Sequence, residues 1–348
     1  MIKVGICGCG FMGRTHYNIY AKNPKAKVVA LMDLDKGRRE GRWRDKIGNL
    51  PASWPAQVPM EGVAAYATVD EIIADPNVDL IDITLPTAVH AEVAIKALRA
   101  GKHVLSEKPM ALTHKQCLDI VKEADRADGY YMVAQCIRFW PQYAKIKELV
   151  DSGQYGQPKS ACLKRLAPTP GYSKDNWLLV AGLSGGAVLD LHVHDIDFAN
   201  YLFGKPRRVL ASGTRGPSGG IDHIEALYDY RRDLLVMVEG GWCFPPNYPF
   251  QMVVNVRCEK ATFEWILRAG EGGSGFGPEV VVYPAKGGVQ KITCKDSDGW
   301  TEEINYFLDC IERKQRPTIV TARSSADSIA VAEAEIKSVK TGKPVAVR

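Results

Sequence analysis

Short apolar runs separated by stretches of helical spacing fill the first third of the chain. Ile2–Cys7, Ala26–Met32, Leu80–Leu85 and His103–Leu105 are strand-length and nearly continuous in apolar character, the pattern of strands covered on both faces. Between them, Met12–Lys22, Val69–Ala74, Ala88–Gly101 and Thr113–Gly129 space apolar residues at helical intervals. In the third of these, Val93 and Leu98 fall on one side, and Gly101 closes it as a glycine just past a helix does. This βαβα order predicts a doubly wound parallel sheet, a Rossmann domain over residues 1–130. Ile47–Met60, which carries Trp54, reads as a local insertion at the sheet edge.

Beyond residue 155 the pattern changes to strict alternation. Phe250, Met252, Val254, Val256 and Cys258 share one face, and Gln251, Val253, Asn255 and Arg257 the other. His223–Tyr230 and Leu234–Trp242 flank Arg231-Arg232-Asp233 as a hairpin. Trp300–Arg313 and Ala322–Thr341 are amphipathic helices. We therefore expect a second, α+β domain over residues 131–348 with a large, mostly antiparallel open sheet, its C-terminal helix packing back on the first domain. Val253, Met237 and Trp242 read as one apolar sheet face, suited to a homodimer or homotetramer.

A length of 348 residues agrees with two domains. Hydrophobic residues at 46% and charged residues at 24% exclude a mainly disordered or fibrous chain. A net charge of +5 over this length is too dilute for a nucleic-acid footprint, and small ligands are expected instead. No apolar run approaches the roughly 18 residues of a membrane span, and the N-terminus enters a strand pattern at once, without the order of a secretory signal. Nine scattered cysteines with no C-x-x-C pair disfavour both a disulfide framework and a zinc site. A reducing, cytoplasmic setting and no bound metal are the expectation.

Gly8-Cys9-Gly10-Phe11-Met12-Gly13 is a G-x-G-x-x-G string that follows a strand and opens a helix. In that context Gly8 permits the tight turn, Gly10 lets backbone approach a pyrophosphate, and Gly13 packs helix on strand. Free N–H groups at the helix start then hold phosphate. Asp33 follows Gly13 by twenty residues, at the end of the second strand, where a carboxylate accepts from ribose hydroxyls and selects NAD. Arg38 and Arg39 keep NADP as the alternative. Thr84, Pro86 and His90 lie past the next strand, at the carboxyl edge where such sheets bind ligands, although turn and cap duties account for them equally. Gly270–Gly277 runs into a strand pattern rather than a helix and reads as loop.

Glu107-Lys108-Pro109 follows Gly101-Lys102-His103-Val104-Leu105-Ser106, and Gly185-Gly186-Ala187-Val188-Leu189-Asp190-Leu191-His192-Val193-His194-Asp195 follows later. Together with Asp79-Leu80-Ile81-Asp82, His90 and a C-terminal Ala/Ser/Lys/Thr-Gly pattern from Ala334 to Val345, these segments resemble the glucose-fructose oxidoreductase / inositol 2-dehydrogenase (Gfo/Idh/MocA) family. The resemblance implies an NAD(P)-dependent dehydrogenase that moves hydride between nicotinamide and a secondary alcohol carbon of a sugar, cyclitol or related polyol. It also implies Lys108, Asp190 and His194 as the catalytic and substrate-contacting trio, with Glu107, Lys108 and Gln135 toward the cofactor.

A helix over residues 187–203 would bury Leu189, Val193, Ile196 and Phe203 and put Asp190 and His194, four apart, on another face. There His194 can take a hydroxyl proton near neutral pH while Asp190 holds its tautomer or binds the next hydroxyl. His192 departs from the usual pattern of the block. Helix geometry turns it about 200° from His194, against a shared metal ion, and leaves it as a partner behind the site or a residue packed between the domains. Arg138 is a candidate for a substrate hydroxyl or carboxylate, with an interdomain ion pair as the alternative. Trp177 is a candidate floor for a sugar, or core packing. Two other functions compete: an NAD-dependent glycoside cleaver working by transient oxidation, and a regulator that senses the nucleotide without chemistry.

Overall fold

The protein is described by a computed structural model that covers residues 1–44, 54–230, 233–269 and 277–348. The expected hairpin turn at 231–232, most of the Gly270–Gly277 loop and the first part of the 47–60 insertion lie outside the described residues. Two compact units form: Met1–Gln135 with Tyr172–Trp177 and Trp300–Ala326, and Cys136–Gly171 with Leu178–Gly299 and Asp327–Arg348.

The first unit is built on β1 (Ile2–Cys7), α1 (Phe11–Lys22), β2 (Ala26–Met32), α2 (Lys36–Arg39), β3 (Ala64–Tyr66), α3 (Val69–Ala74), β4 (Leu80–Ile83), α4 (His90–Arg99), β5 (His103–Glu107), α5 (His114–Ala124) and β6 (Tyr131–Ala134). Its six strands lie in the order β3-β2-β1-β4-β5-β6, all parallel. The order reverses between β1 and β4, which is the switch point where such sheets bind ligands. β4 and β6 are buried along their whole length, so their apolar runs follow from cover on both faces. Thr68 with Glu71 and Thr113 with Gln116 form capping boxes that start α3 and α5. Gly101, at φ 75°, ends the α4 region as expected.

The second unit contains α6 (Pro141–Asp151), β7 (Pro158–Pro168), α7 (Ala181–Ser184), α8 (Val193–Phe203), β8 (Arg208–Arg215), β9 (Ile221–Asp229), β10 (Leu235–Phe244), β11 (Gln251–Cys258), β12 (Ala261–Arg268), β13 (Glu279–Pro284) and β14 (Gln290–Thr293). The chain then forms α9 (Gly299–Glu312), most of which counts with the first unit. It ends in α10 (Ala322–Thr341) and the short β15 (Val345–Ala346). The nine strands run β14-β13-β12-β11-β7-β10-β9-β8-β15, antiparallel except for β7 against β10.

The last helix is divided between the units, with its first residues to Ala326 in the first and Asp327–Arg348 in the second, where β15 adds to β8 as an edge strand. Two expectations change here. Trp242 does not share a face with Met237: it is 2% exposed against 36%, on the buried side with Val236 and Val238. Residues 187–203 are not one α-helix, since Val188–His192 form a π-helical turn before α8 begins.

The candidate cofactor and catalytic site

The glycine loop is held by contacts that leave one place open. Gly8 sits at φ +100°, and a Cβ there would lie 2.7 Å from the Thr84 carbonyl oxygen. A Cβ on Gly13 would lie 1.9 Å from the Gly8 carbonyl oxygen, so only glycine lets α1 pack this close to β1. A Cβ on Gly10 would meet nothing within 4 Å. Thr84 donates its hydroxyl to Gly8 O at 2.7 Å, which makes it a clamp on the loop. Phe11 and Met12, half-buried, open α1. Arg14 is fully buried, donates from Nε to Cys9 O at 3.0 Å, and lies over the Trp43 and Trp54 rings at 5.4 and 5.5 Å.

Asp33 Oδ2 accepts the Cys9 N–H at 2.9 Å and Oδ1 accepts the Asp35 N–H at 2.8 Å. The carboxylate is thereby fixed against the glycine loop, and each oxygen keeps a lone pair for another donor. Arg39 donates to the Asp33 and Leu34 carbonyl oxygens at 3.2 and 3.0 Å, a backbone role rather than a phosphate-binding one. The loop, the open space at Gly10, the start of α1 and Asp33 together fit the pyrophosphate and ribose of a dinucleotide. Gln135 is 1% exposed and its Oε1 is buried without a hydrogen-bond partner, an acceptor at the same carboxyl edge as Lys108.

Lys108, half-buried, follows β5. Its N–H donates to Glu107 Oε2 at 3.0 Å. Glu107 Oε1 stands 3.3 Å from His16 Nε2, and His16 Nδ1 stands 2.8 Å from Asp82 Oδ2. Burial alone would lower the His16 pKa, but the Asp82 and Glu107 carboxylates outweigh it and hold it well above 6.5. Burial would raise Glu107, and His16 together with Lys108 pulls it below its ordinary range. On the other side of Lys108, His90 Nδ1 lies 2.9 Å from Pro109 O and Nε2 lies 2.7 Å from Leu85 O. Burial lowers the His90 pKa. His90 thus grips the turns after β4 and β5, while Pro86 is exposed between them.

In the second unit Gly185 and Gly186 adopt φ +81° and +67°, and buried Asp222 accepts the Ala187 N–H at 3.4 Å. This start leads into the π-turn that carries Asp190. Because i→i+5 bonding takes more residues per turn than an α-helix, residues four apart align more nearly along the axis. Asp190 and His194 are both half-buried, whereas His192 between them is buried. Its Nε2 lies 3.1 Å from Glu335 Oε2, and Glu335 Oε1 accepts the Tyr228 hydroxyl at 2.6 Å. Gly240 leaves the room for its ring, since a Cβ there would lie 2.5 Å from His192 Nδ1.

Arg138 is a correction to the substrate reading. It is 4% exposed, forks onto Asp197 with Nε–Oδ2 and Nη2–Oδ1 both at 2.7 Å, and lies over the Tyr201 ring at 4.8 Å. The ion pair is therefore within one unit, not between two. Trp177, half-buried, belongs to a segment grouped with the first unit. Lys108 lies in the first unit and Asp190 and His194 in the second. Among the described residues, the one group of three possible metal ligands within 4.8 Å is His223, Glu225 and Glu239, which includes neither His192 nor His194, and the Lys164 ammonium already sits 2.6 Å from Glu239.

Sequence reasoning missed His16, Asp82, Asp222 and Glu335. Asp82 left a signal: a carboxylate inside the apolar run Leu80-Ile81-Asp82-Ile83 needs a buried partner.

A doubly wound sheet with this loop and an acidic residue closing β2 defines a dinucleotide-binding protein. Residues 2–135 match the oxidoreductase family with an NAD-binding Rossmann fold, GFO/IDH/MocA, and residues 143–264 match the GFO/IDH/MocA C-terminal domain. The chain belongs to this family, and it is an NAD-dependent oxidoreductase. It is similar to scyllo-inositol 2-dehydrogenase (NAD(+)) of Bacillus subtilis, 25% identical over 361 residues covering 99% of this chain and 96% of that one. Levoglucosan dehydrogenase of Pseudarthrobacter phenanthrenivorans is 30% identical over 257 residues, 64% of this chain and 62% of that one. A solved levoglucosan dehydrogenase in complex with NADH and levoglucosan matches with a TM-score of 0.82 at 20% identity, covering 99% of both chains. Among the described residues no helix is long and apolar enough to cross a membrane.

Proposed function

We propose that the protein oxidises or reduces a secondary alcohol carbon of a cyclitol, sugar or related polyol, with Lys108, Asp190 and His194 as its catalytic groups. The observation that carries this reading is the pair Asp190 in the π-turn and His194 at the start of α8, both half-buried while the intervening His192 is buried. Bound NAD supplies hydride transfer at its nicotinamide ring. The chain's own residues handle the proton: His194 accepts it from the carbinol hydroxyl, and Asp190 binds a neighbouring hydroxyl or holds the imidazole tautomer. Lys108 hydrogen-bonds the carbinol oxygen and stabilises the charge that develops there. The inositol and levoglucosan enzymes among the relatives support the substrate class.

A panel of cyclitols, pyranoses and anhydrosugars incubated with NAD tests this. Accumulating NADH with at least one of them is expected. Glycoside breakdown without net NADH would favour the redox-elimination reading, and NAD binding with no turnover would favour a sensor.

We further propose a homodimer or homotetramer through the open face of the second sheet. Leu210, Leu227 and Met237 form a cross-strand row there, exposed at 42, 44 and 36%, and single-chain exposure of such a row favours a partner. Light scattering is expected to give twice or four times the chain mass, and a monomer at micromolar concentration refutes it.

A further inference from the structure

Asp82 on β4, His16 on α1 and Glu107 on β5 form a buried line that ends on the Lys108 backbone N–H. The side chains of Asp82 and His16 are 0% exposed and that of Glu107 is 8% exposed. Nδ1 is hydrogen-bonded to Asp82 Oδ2 at 2.8 Å, and Nε2 lies 3.3 Å from Glu107 Oε1, an ion-pair contact short of hydrogen-bond alignment. A neutral ring would set a bare nitrogen lone pair against an anion in a dry interior, so the arrangement calls for the imidazolium, which has a proton for each side. Glu107 spends its other oxygen on the Lys108 N–H at 3.0 Å.

We propose that His16 is a positioning residue for Lys108: it anchors the Glu107 carboxylate, which fixes the backbone of the lysine and presents it with a buried negative charge. The proposal rests on the reading of Lys108 as a catalytic group. Two carboxylates against one imidazolium leave the line at a net charge of −1 directly behind the Lys108 backbone. His16 also lies one turn along α1 from Gly13, so the loop that cradles the dinucleotide and the turn that carries Lys108 share one buried anchor. The other titratable groups around it are Tyr20, whose ring stands 6.5 Å from the imidazole, Glu303, which acts on that phenol, and Cys7, whose thiol is pushed up by burial and by Asp82. Burial pushes the Tyr20 phenol well up as well, so at neutral pH both Tyr20 and Cys7 stay protonated.

The experiment has a readout that does not depend on turnover. In the full-length NAD-free protein, the imidazole resonances of His16, assigned by their loss in His16→Gln, are expected to titrate well above the ordinary histidine value. Titration near the ordinary value overturns the proposal. In activity, Glu107→Gln and His16→Gln are each expected to lower kcat about tenfold or more, with KM for NAD changed far less. Glu107→Asp, which keeps the carboxylate, should recover part of the kcat lost in Glu107→Gln. A general loosening of the fold would weaken NAD along with turnover and would not be relieved by the shorter carboxylate. A folded Glu107→Gln enzyme with wild-type kcat overturns the proposal even if His16→Gln fails to fold. If Lys108→Ala itself leaves turnover intact, the functional reading fails instead, and the histidine titration still judges the buried line.

Discussion

Adding one methyl group at two glycines of the same loop separates cofactor binding from folding. At Gly10 the backbone is extended, φ −78° and ψ −160°, which any residue adopts, and a Cβ there meets nothing within 4 Å. Alanine at this helix N-cap loses part of a glycine preference worth up to about 1 kcal/mol, while the restricted unfolded chain returns about 0.4–1 kcal/mol. These terms offset, so the stability of Gly10→Ala without cofactor should stay within about 1 kcal/mol of wild type, or a few degrees in melting temperature for domains of this size. The methyl nevertheless fills the space through which a pyrophosphate reaches backbone.

At Gly13 the Cβ would stand 1.9 Å from Gly8 O and 2.8 Å from Thr84 Oγ1. Backbone must move by about an ångström to relieve this, an overpacking cost of about 1–3 kcal/mol. Calorimetric titration with NAD and melting curves with and without it form the assay. Gly10→Ala should melt like wild type yet bind NAD at least tenfold more weakly, while Gly13→Ala should lose both stability and binding. Unchanged NAD affinity in Gly10→Ala would refute the reasoning, because the open space at Gly10 would then not be where the cofactor lies.

Three further outcomes follow from the geometry. His192→Ala should cost less than about tenfold in turnover while destabilising the fold, since His192 is buried on Glu335 and its loss leaves that buried carboxylate with the Tyr228 hydroxyl but without the imidazole; a larger loss of turnover than His194→Ala shows, or inactivation by chelator, contradicts this. NAD should bind at least several-fold tighter than NADP, because a ribose phosphate would be set against the fixed Asp33 carboxylate; titration with the two cofactors decides it. The raised His16 pKa contributes stability that is fully present below its ordinary 6.5 and is lost as pH rises through the folded value, so melting temperature should fall on the alkaline side and fall less steeply in His16→Gln.

The central elements of the first sheet are readable because its strands are covered on both faces and its helices carry ordinary stop signals. β3, only Ala64–Tyr66, is too short to show a period, and β6 falls just beyond the expected boundary at residue 130. The pairing of β7 with β10 joins segments some seventy residues apart, which no local pattern reports. Gly240 and Gly241 interrupt the alternation that would have shown Trp242 to be buried. The π-turn depends on Asp222 reaching Ala187 from thirty-five residues away, and Arg138 reads as a ligand-binding residue until Asp197 is seen to occupy it. The candidate site residues are legible as types at strand and helix ends. The charges behind them are not, because His16, Asp82 and Glu107 come from three separate elements.

The most direct test of the account compares Lys108→Ala and His194→Ala with wild type on a polyol that the wild-type enzyme oxidises, measuring NADH formation and NAD affinity on the same preparations. The account predicts a loss of turnover on the order of 10²-fold or more in each variant, with NAD affinity changed by less than about threefold in both and the acidic limb of the pH profile flattened in His194→Ala. Turnover within a few-fold of wild type in either variant would contradict it.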